Sequence, residues 1–408
     1  MDTKSKDLPA PERPWGLLKG VRPGKIVHHL WEDGQTDKQV KDFLRSKYEV
    51  TEEKAELLLR VCQEERKCFH SAIAPEQDWG MYIGVPFCPS RCVYCSFPSH
   101  SMKQVGHLLE PFYDHLLLEL EQTIQDFPEL KELVTLLYIG GGTPACLNSQ
   151  QTRQLLDWFR QNFPRLQEIT FEGGRPEMMT EELLGLLYSR VDRICINPQT
   201  LQDTSLQRIG RLHTARDAVM AMENARRIGF TWINMDLIAG LPGESEEDFV
   251  DSLQKIIHLQ PENITVHALA IKRASPLKQE TQILHSLSHG RVEAMIRQSQ
   301  TLLSESGYLP YYLYRQRDIM AGAENIGYTK PGYASRYNAL MIAERMNILG
   351  FGVGAASKLL VQKQENLDIH RIANPKDLFV YLERGPQENA EKKYATLSRI
   401  LRGESDDY

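Results

Sequence analysis

The stretch Tyr82-Ile83-Gly84-Val85-Pro86-Phe87-Cys88-Pro89-Ser90-Arg91-Cys92-Val93-Tyr94-Cys95 decides how this chain is read, because an apolar run with strand character feeds directly into three cysteines spaced C-x3-C-x2-C. Three thiolates in one short loop ask for iron. An all-protein zinc site prefers four closed ligands, usually as two C-x2-C pairs, and no second pair lies within reach of this loop. A [4Fe-4S] cluster wants a thiolate on each iron, so three cysteines leave one iron open to bind something else.

Outward from this loop, short apolar runs alternate with amphipathic segments, the signature of repeated βα units on a parallel sheet. Strands are predicted near Met81–Val85, Thr135–Ile139, Glu168–Phe171, Arg193–Ile196, Trp232–Ile238 and Ile264–Leu269. Helices are predicted at Pro111–Asp126, Gln150–Phe163, Glu181–Ser189, Ala215–Ile228, Glu247–Leu259 and Val292–Ser306. Right-handed crossovers of such units close or half-close into a barrel whose functional residues sit at the strand C-terminal ends. The expectation is an α/β fold with a partial (β/α)6 barrel over residues 79–277, a small helical module over 1–78, and an α+β extension over 278–408 that covers the substrate.

The composition bounds the partners. At 408 residues the chain is long for one core, so a main domain of roughly 200–250 residues with additions is expected. A net charge of -6 and the lack of a basic block interleaved with aromatics argue against a nucleic-acid surface. No run of 18 or more apolar residues occurs, and residues 1–13 are polar without an apolar leader core, so the expectation is a cytoplasmic protein with a disordered start. Seven cysteines, three of them in one loop, fit a reducing compartment and a cofactor better than a disulfide framework. Cys62, Cys68, Cys146 and Cys195 read as buried small apolar residues. In the helical module, Arg22 and Lys25 could touch an anion or simply be solvated.

The ends of the predicted strands carry the other candidates. Gly140-Gly141-Gly142-Thr143-Pro144 follows strand two, where bare backbone suits either close approach of a ligand or a tight turn. Glu172 follows strand three and Gln199 ends strand four. Asp236 interrupts the apolar strand five in Asp236-Leu237-Ile238-Ala239-Gly240-Leu241-Pro242-Gly243. A buried carboxylate needs a partner, so Asp236 either meets a polar ligand or caps the next turn.

These motifs, in this order from about Trp79 to Leu277, resemble the radical SAM superfamily and, more narrowly, the oxygen-independent coproporphyrinogen III oxidase family of HemN, HemW and HemZ types. Arg13-Pro14-Trp15-Gly16-Leu17-Leu18-Lys19-Gly20-Val21-Arg22-Pro23, Val266-His267-Ala268-Leu269-Ala270-Ile271-Lys272-Arg273 and Tyr311-Tyr312-Leu313-Tyr314-Arg315-Gln316 are similar to the HemZ branch, often described as coproporphyrinogen dehydrogenase. That branch usually carries a longer N-terminal region, so an accessory domain is expected to be absent here.

The resemblance implies that Cys88, Cys92 and Cys95 hold a [4Fe-4S] cluster whose open iron takes the amino and carboxylate groups of S-adenosylmethionine, bound in one or two copies. Tyr82, Gly141, Gly142, Thr143, Glu172, Gln199, Arg211, Asp236 and the backbone of Ala270 would contact that cofactor, with Tyr82, Arg211 and Asp236 closest to the chemistry. An electron donor such as flavodoxin or ferredoxin would reduce the cluster. The 5'-deoxyadenosyl radical formed from the cofactor would then drive oxidative decarboxylation of two propionates of coproporphyrinogen III, a tetrapyrrole, to give protoporphyrinogen IX in haem biosynthesis. Members of the same family that carry haem are the alternative, as is radical chemistry on another small molecule. Two positions depart from the best-characterised oxidases: Phe97 stands where they have a fourth cysteine, and Gly84 where they have a histidine.

Residues 308–337 mix seven tyrosines with Arg315, Arg317, Lys330 and Arg336. Such a mixture suits a lid pairing Arg315 and Lys330 with substrate carboxylates, or a tyrosine-rich hairpin packed on the core. Gly350-Phe351-Gly352-Val353-Gly354 reads as a close-packed turn, and residues from Glu383 onward as a charged, partly helical tail.

Overall fold

The computed structural model describes residues 14–69, 79–272, 275, 277, 289–363 and 366–402; the disorder expected of residues 1–13 falls outside them. All six expected strands are present: β1 (Trp79–Val85), β2 (Val134–Gly141), β3 (Glu168–Glu172), β4 (Arg193–Gln199), β5 (Ile233–Ala239) and β6 (Asn263–Ala268). Later come β7 (Leu309–Tyr314), β8 (Asn325–Thr329), β9 (Asn347–Gly352), β10 (Ala356–Lys363) and β11 (Asn366–Ala373). The chain forms two compact units, one of Pro75–Asp236, Leu259–Glu262 and Arg345–Tyr408, the other of Met1–Ala74, Leu237–His258 and Asn263–Glu344.

In the first unit the strand order runs β11-β10-β9-β1-β2-β3-β4, followed by the first half of β5. The pairs β9–β1, β1–β2, β2–β3 and β3–β4 are parallel, whereas β10 and β11 add antiparallel strands beyond β9. Strands β1 to β5 are nearly continuous runs of buried residues, as a sheet covered on both faces requires. Helices α4 (Leu109–Asp126), α5 (Ser149–Asn162), α6 (Glu181–Leu187) and α7 (Ala215–Ile228) alternate with the strands. The start of α5 is fixed by a reciprocal cap between Asn148 and Gln151, and that of α7 by Thr214 with Asp217. Gly229, at a φ of 118°, ends α7 in the left-handed conformation that favours glycine.

Helices α8 (Glu246–Leu259), α9 (His289–Glu305) and α10 (Arg336–Ala343) follow in the chain, and the charged tail expected from Glu383 onward is instead part of a docked helix, α11 (Leu378–Arg402), bent at Gly385-Pro386. Tyr381, Ala390, Lys393 and Leu397 on it are fully buried. Lys393 donates to Glu119 of α4 at 2.6 Å, and that carboxylate also accepts from Tyr381 Oη at 2.7 Å, Asn374 Nδ2 at 2.9 Å and the Gly352 amide at 3.1 Å. A carboxylate with this many donors can be buried without a large penalty. The apolar spacing of α11 is sparse and broken by Gly385-Pro386, so its docking is invisible to periodicity.

In the second unit β6 is flanked by β8, which pairs antiparallel with both β6 and β7. Helices α1 (Gly24–Glu32), α2 (Asp37–Tyr48) and α3 (Glu52–Lys67) lie where helical periodicity was expected, and α3 packs on β7. Glu324, buried at the start of β8, accepts from Lys54 at 2.7 Å, Trp15 Nε1 at 2.8 Å and Gln300 at 2.9 Å. Tyr308, Tyr311, Tyr312, Tyr328 and Tyr337 are all buried, so most of the tyrosines of residues 308–337 build core. Cys62 is buried as expected, but among polar groups: with His28 and Glu65 it forms a set within 4.8 Å, in which His28 Nε2 lies 2.7 Å from Glu65 Oε2. Among the described residues no helix is long and apolar enough to cross a membrane.

Candidate functional site

The cysteine loop is built by its neighbours. Phe87 and Cys88 pair in parallel with His100 and Ser101, which folds the loop back on itself. Its middle is tied to the segment before Arg211: the Val93 amide donates to the Ile209 carbonyl at 3.1 Å, and Ser90 Oγ donates to the Gly210 carbonyl at 2.8 Å. Cys88 and Cys92 are buried and Cys95 is half-buried. All seven cysteines of the chain are free. Ligands of one tetrahedral ion would crowd to within about 4 Å of each other, given a metal–sulfur bond of about 2.3 Å. Among the described residues the three sulfurs do not all lie within 4.8 Å of one another.

The glycines of 140–142 are required by this packing. A Cβ on Gly142 would lie 2.6 Å from the Phe87 carbonyl oxygen and 3.0 Å from Cys88 Sγ; one on Gly141, whose φ is +106°, would meet Val85 backbone at 2.9 Å. One on Gly140 would meet Glu172 Oε2 at 2.6 Å. The Gly142 amide donates to the Val85 carbonyl at 2.7 Å, and Thr143 Oγ1 lies 3.4 Å from Cys88 Sγ. The two strand ends therefore meet at a backbone-to-backbone contact. Gly84 is equally constrained, because a side chain there would start 2.8 Å from the Val353 carbonyl oxygen.

Two buried arginines flank the loop. Arg211 donates from Nη1 to the Gly174 carbonyl at 2.9 Å and the Asn197 carbonyl at 2.8 Å, and from Nη2 to Tyr94 Oη at 3.0 Å. Burial works against its charge, but Tyr94 and Cys92 beside it hold the guanidinium protonated above its ordinary range. Arg175 donates to the Ser90 carbonyl. Burial raises the Cys88 thiol, with Thr143 and Arg175 opposing; burial likewise raises Cys95, with Cys92 and Cys88 adding to the shift. Positive charge on two sides of the loop is what an anionic thiolate-ligated cluster needs.

Strands β1 to β5 also carry polar side chains within the sheet. Tyr82 and Tyr138 stack with centroids 6.1 Å apart, and burial followed by the Glu172 charge pushes both phenols up. Asn197 Nδ2 donates to Glu172 Oε1 at 3.3 Å, and Asn234 Nδ2 to Asp236 Oδ1 at 2.7 Å. Gln199 is held at a φ of 72°, a strained backbone for a residue with a side chain. Its Oε1, the Asn197 Oδ1 and the Arg211 Nε are buried without a hydrogen-bond partner among the described residues. Orphaned donors and acceptors grouped around one arginine are what a polar ligand would satisfy.

Tyr82, Cys88, Cys92, Cys95, Gly141, Gly142, Thr143, Glu172, Gln199, Arg211 and Asp236 thus all lie in the first unit. Ala270 lies in the second, where it bridges Ile319. So do Arg315, which lines a cavity there, and Lys330, whose ammonium lies 5.8 Å from the Tyr308 ring centroid. Tyr94, Tyr138, Arg175 and Asn197 escaped the sequence reading, although Arg175 follows Glu172 by three residues in Gly173-Gly174-Arg175-Pro176.

A family model described as the Radical SAM superfamily matches residues 82–256. The oxygen-independent coproporphyrinogen-III oxidase-like protein HemZ of Bacillus subtilis (strain 168) is 36% identical over 382 residues, covering 93% of this chain and 76% of that protein. The heme chaperone HemW of Escherichia coli (strain K12) is 29% identical over 282 residues, covering 68% and 70%. Coproporphyrinogen III oxidase (HemN) from Escherichia coli, described as a radical SAM enzyme, superposes with a TM-score of 0.61 at 23% identity, covering 83% and 74%, and so shares the α/β fold. The chain therefore belongs to the radical SAM superfamily and, within it, to the family of oxygen-independent coproporphyrinogen III oxidase-like proteins.

Proposed function

We propose that this chain is a radical SAM oxidoreductase that decarboxylates coproporphyrinogen III to protoporphyrinogen IX, with Cys88, Cys92 and Cys95 holding a [4Fe-4S] cluster. The observation that carries the reading is the loop of three cysteines to which Arg175 donates at the Ser90 carbonyl and Arg211 at Tyr94 Oη, with polar atoms of Gln199, Asn197 and Arg211 buried without a partner among the described residues. When bound, the reduced cluster would supply one electron to the sulfonium of S-adenosylmethionine, releasing methionine and a 5'-deoxyadenosyl radical. Arg211 offers its Nε hydrogen to the cofactor carboxylate, and Gln199 offers Oε1 to its ammonium group. Glu172 and Asp236 are the acceptors suited to ribose hydroxyls, while Tyr82 walls the site. Gly141 and Gly142 set the distance between the β2 end and the cysteine loop.

A second reading, haem carriage, is supported by two local features. Phe97, in place of a fourth cysteine, is exposed, and Gly84 has no room for the imidazole found in the characterised oxidases. Anaerobic reconstitution with iron, sulfide, reductant and S-adenosylmethionine separates the readings. Methionine, 5'-deoxyadenosine and carbon dioxide formed from coproporphyrinogen support decarboxylation. Stoichiometric haem binding without turnover would replace it with carriage.

A further inference from the structure

The second unit contains a cavity of 390 Å³ whose wall includes Arg22, Lys272, Arg315 and Arg317 together with Tyr314 and Ile342. Among the described residues no acid lines it, although acids outnumber bases in the chain as a whole. The four cations come from three distant segments, brought together by the main chain. The Arg315 amide donates to the Val21 carbonyl at 2.7 Å, and the Ile271 amide to the Asp318 carbonyl at 3.1 Å. The side chains are held as well: Arg315 donates from Nη1 to the Leu18 carbonyl at 2.5 Å and from Nη2 to the Gly322 carbonyl at 3.1 Å, and Lys272 donates to the Arg317 carbonyl.

The nearby acids are largely committed. Glu344 takes Arg22 and Lys25, Glu324 takes Lys54, Trp15 and Gln300, and Asp318 is the acid beside Lys272. Among the described residues none of Lys272, Arg315 and Arg317 forms a salt bridge, and Arg315 Nε is buried without a partner. Burial pushes both Lys272 and Arg315 below their ordinary ranges, so these charges are held at a loss that an anion would relieve.

We propose that this cavity is a carboxylate-binding site that takes a propionate arm of the tetrapyrrole, the guanidinium groups gripping the acid while Tyr314 and Ile342 pack on the apolar arm. Its volume is at the small end for ligand sites, which span about 300–1,000 Å³, so it accommodates an arm and the edge of a ring rather than a whole macrocycle. The assignment rests on the tetrapyrrole reading above. The same chemistry is offered by the amino-acid carboxylate of S-adenosylmethionine, and the test separates the two.

The reconstituted 408-residue chain is titrated with coproporphyrin III, with its tetramethyl ester, and with S-adenosylmethionine. Parent, Arg317→Ala, Arg317→Glu and Lys272→Ala proteins are compared at matched iron content and melting temperature. The expected result is a dissociation constant for coproporphyrin raised about tenfold by either alanine variant and further by R317E, with the ester bound poorly and the affinity for S-adenosylmethionine unchanged. Coproporphyrin affinity unchanged in all three variants, or ester binding equal to that of the acid, overturns the proposal. A parallel loss of S-adenosylmethionine affinity overturns the tetrapyrrole as the source. If coproporphyrin binds through these residues but coproporphyrinogen is never decarboxylated, the decarboxylase reading fails while the pocket stands.

Discussion

Gly142 is the residue at which the cysteine loop has least room. Its replacement by alanine forces a methyl group against the Phe87 carbonyl and Cys88 Sγ, and neither can move without shifting a thiol the cluster needs. Gly142→Ala protein should therefore retain less iron per chain than the parent after reconstitution and desalting, with the far-UV spectrum unchanged; full iron content would show that the loop absorbs the strain. The sequence makes the three glycines legible as a close approach, but whether a ligand or another strand approaches depends on which elements meet. His115 makes a different residue-level prediction. It accepts at Nε2 from Asn389 Nδ2 at 3.3 Å, lies 4.4 Å from the Tyr381 ring centroid, and is held below its ordinary pKa by burial. Between pH 6.5 and its lowered folded value, the unfolded chain binds a proton that the folded chain does not, so stability falls as pH falls through that window. His115→Gln should flatten this acid limb in melting temperature against pH, and an equally steep limb in the variant would assign the effect elsewhere.

At the scale of elements, the six βα repeats were readable because a doubly covered parallel strand is an unbroken apolar run and its helices carry capping residues where they begin. Strand ends were found to within three residues, the largest miss being the end of β4 at Gln199 rather than Ile196. The attachment of α11 was not readable, because its anchor is a buried charge. Lys393 and Glu119 look like solvated helix residues until the fold closes on them. Replacing Lys393 by methionine leaves Glu119 with neutral donors only and should cost about 3–5 kcal/mol in urea unfolding. Combining Lys393→Met with Glu119→Leu should recover much of that loss, and a double variant no better than the single would show that the tyrosine and asparagine contacts matter more than the charge pair.

For the molecule as a whole, the division into two compact units falls inside β5, between Asp236 and Leu237, so consecutive residues of one strand serve different cores. Local patterning cannot place such a boundary, because every residue of β5 is buried alike. The first unit is also closed by the last part of the chain. Strand β1, which delivers the cysteine loop, lies between β2, the next strand of the core, and β9, near the far end of the sequence; Gly84 pairs with Gly140 on one side and Gly352 on the other. A chain ending at Arg345 keeps every cysteine, yet is expected to lose iron on desalting, and iron content equal to the full chain would show that β9 to β11 are dispensable for the loop.

The pairing of Gly84 with Gly352 has a consequence for the order of synthesis. On a ribosome, the three cysteines emerge early and stay accessible until the residues around 350 and the Lys393 anchor have been made. Between those two events the thiols of a nascent chain are open to oxygen and stray metal, so the cluster is best inserted once β9 and α11 are in place.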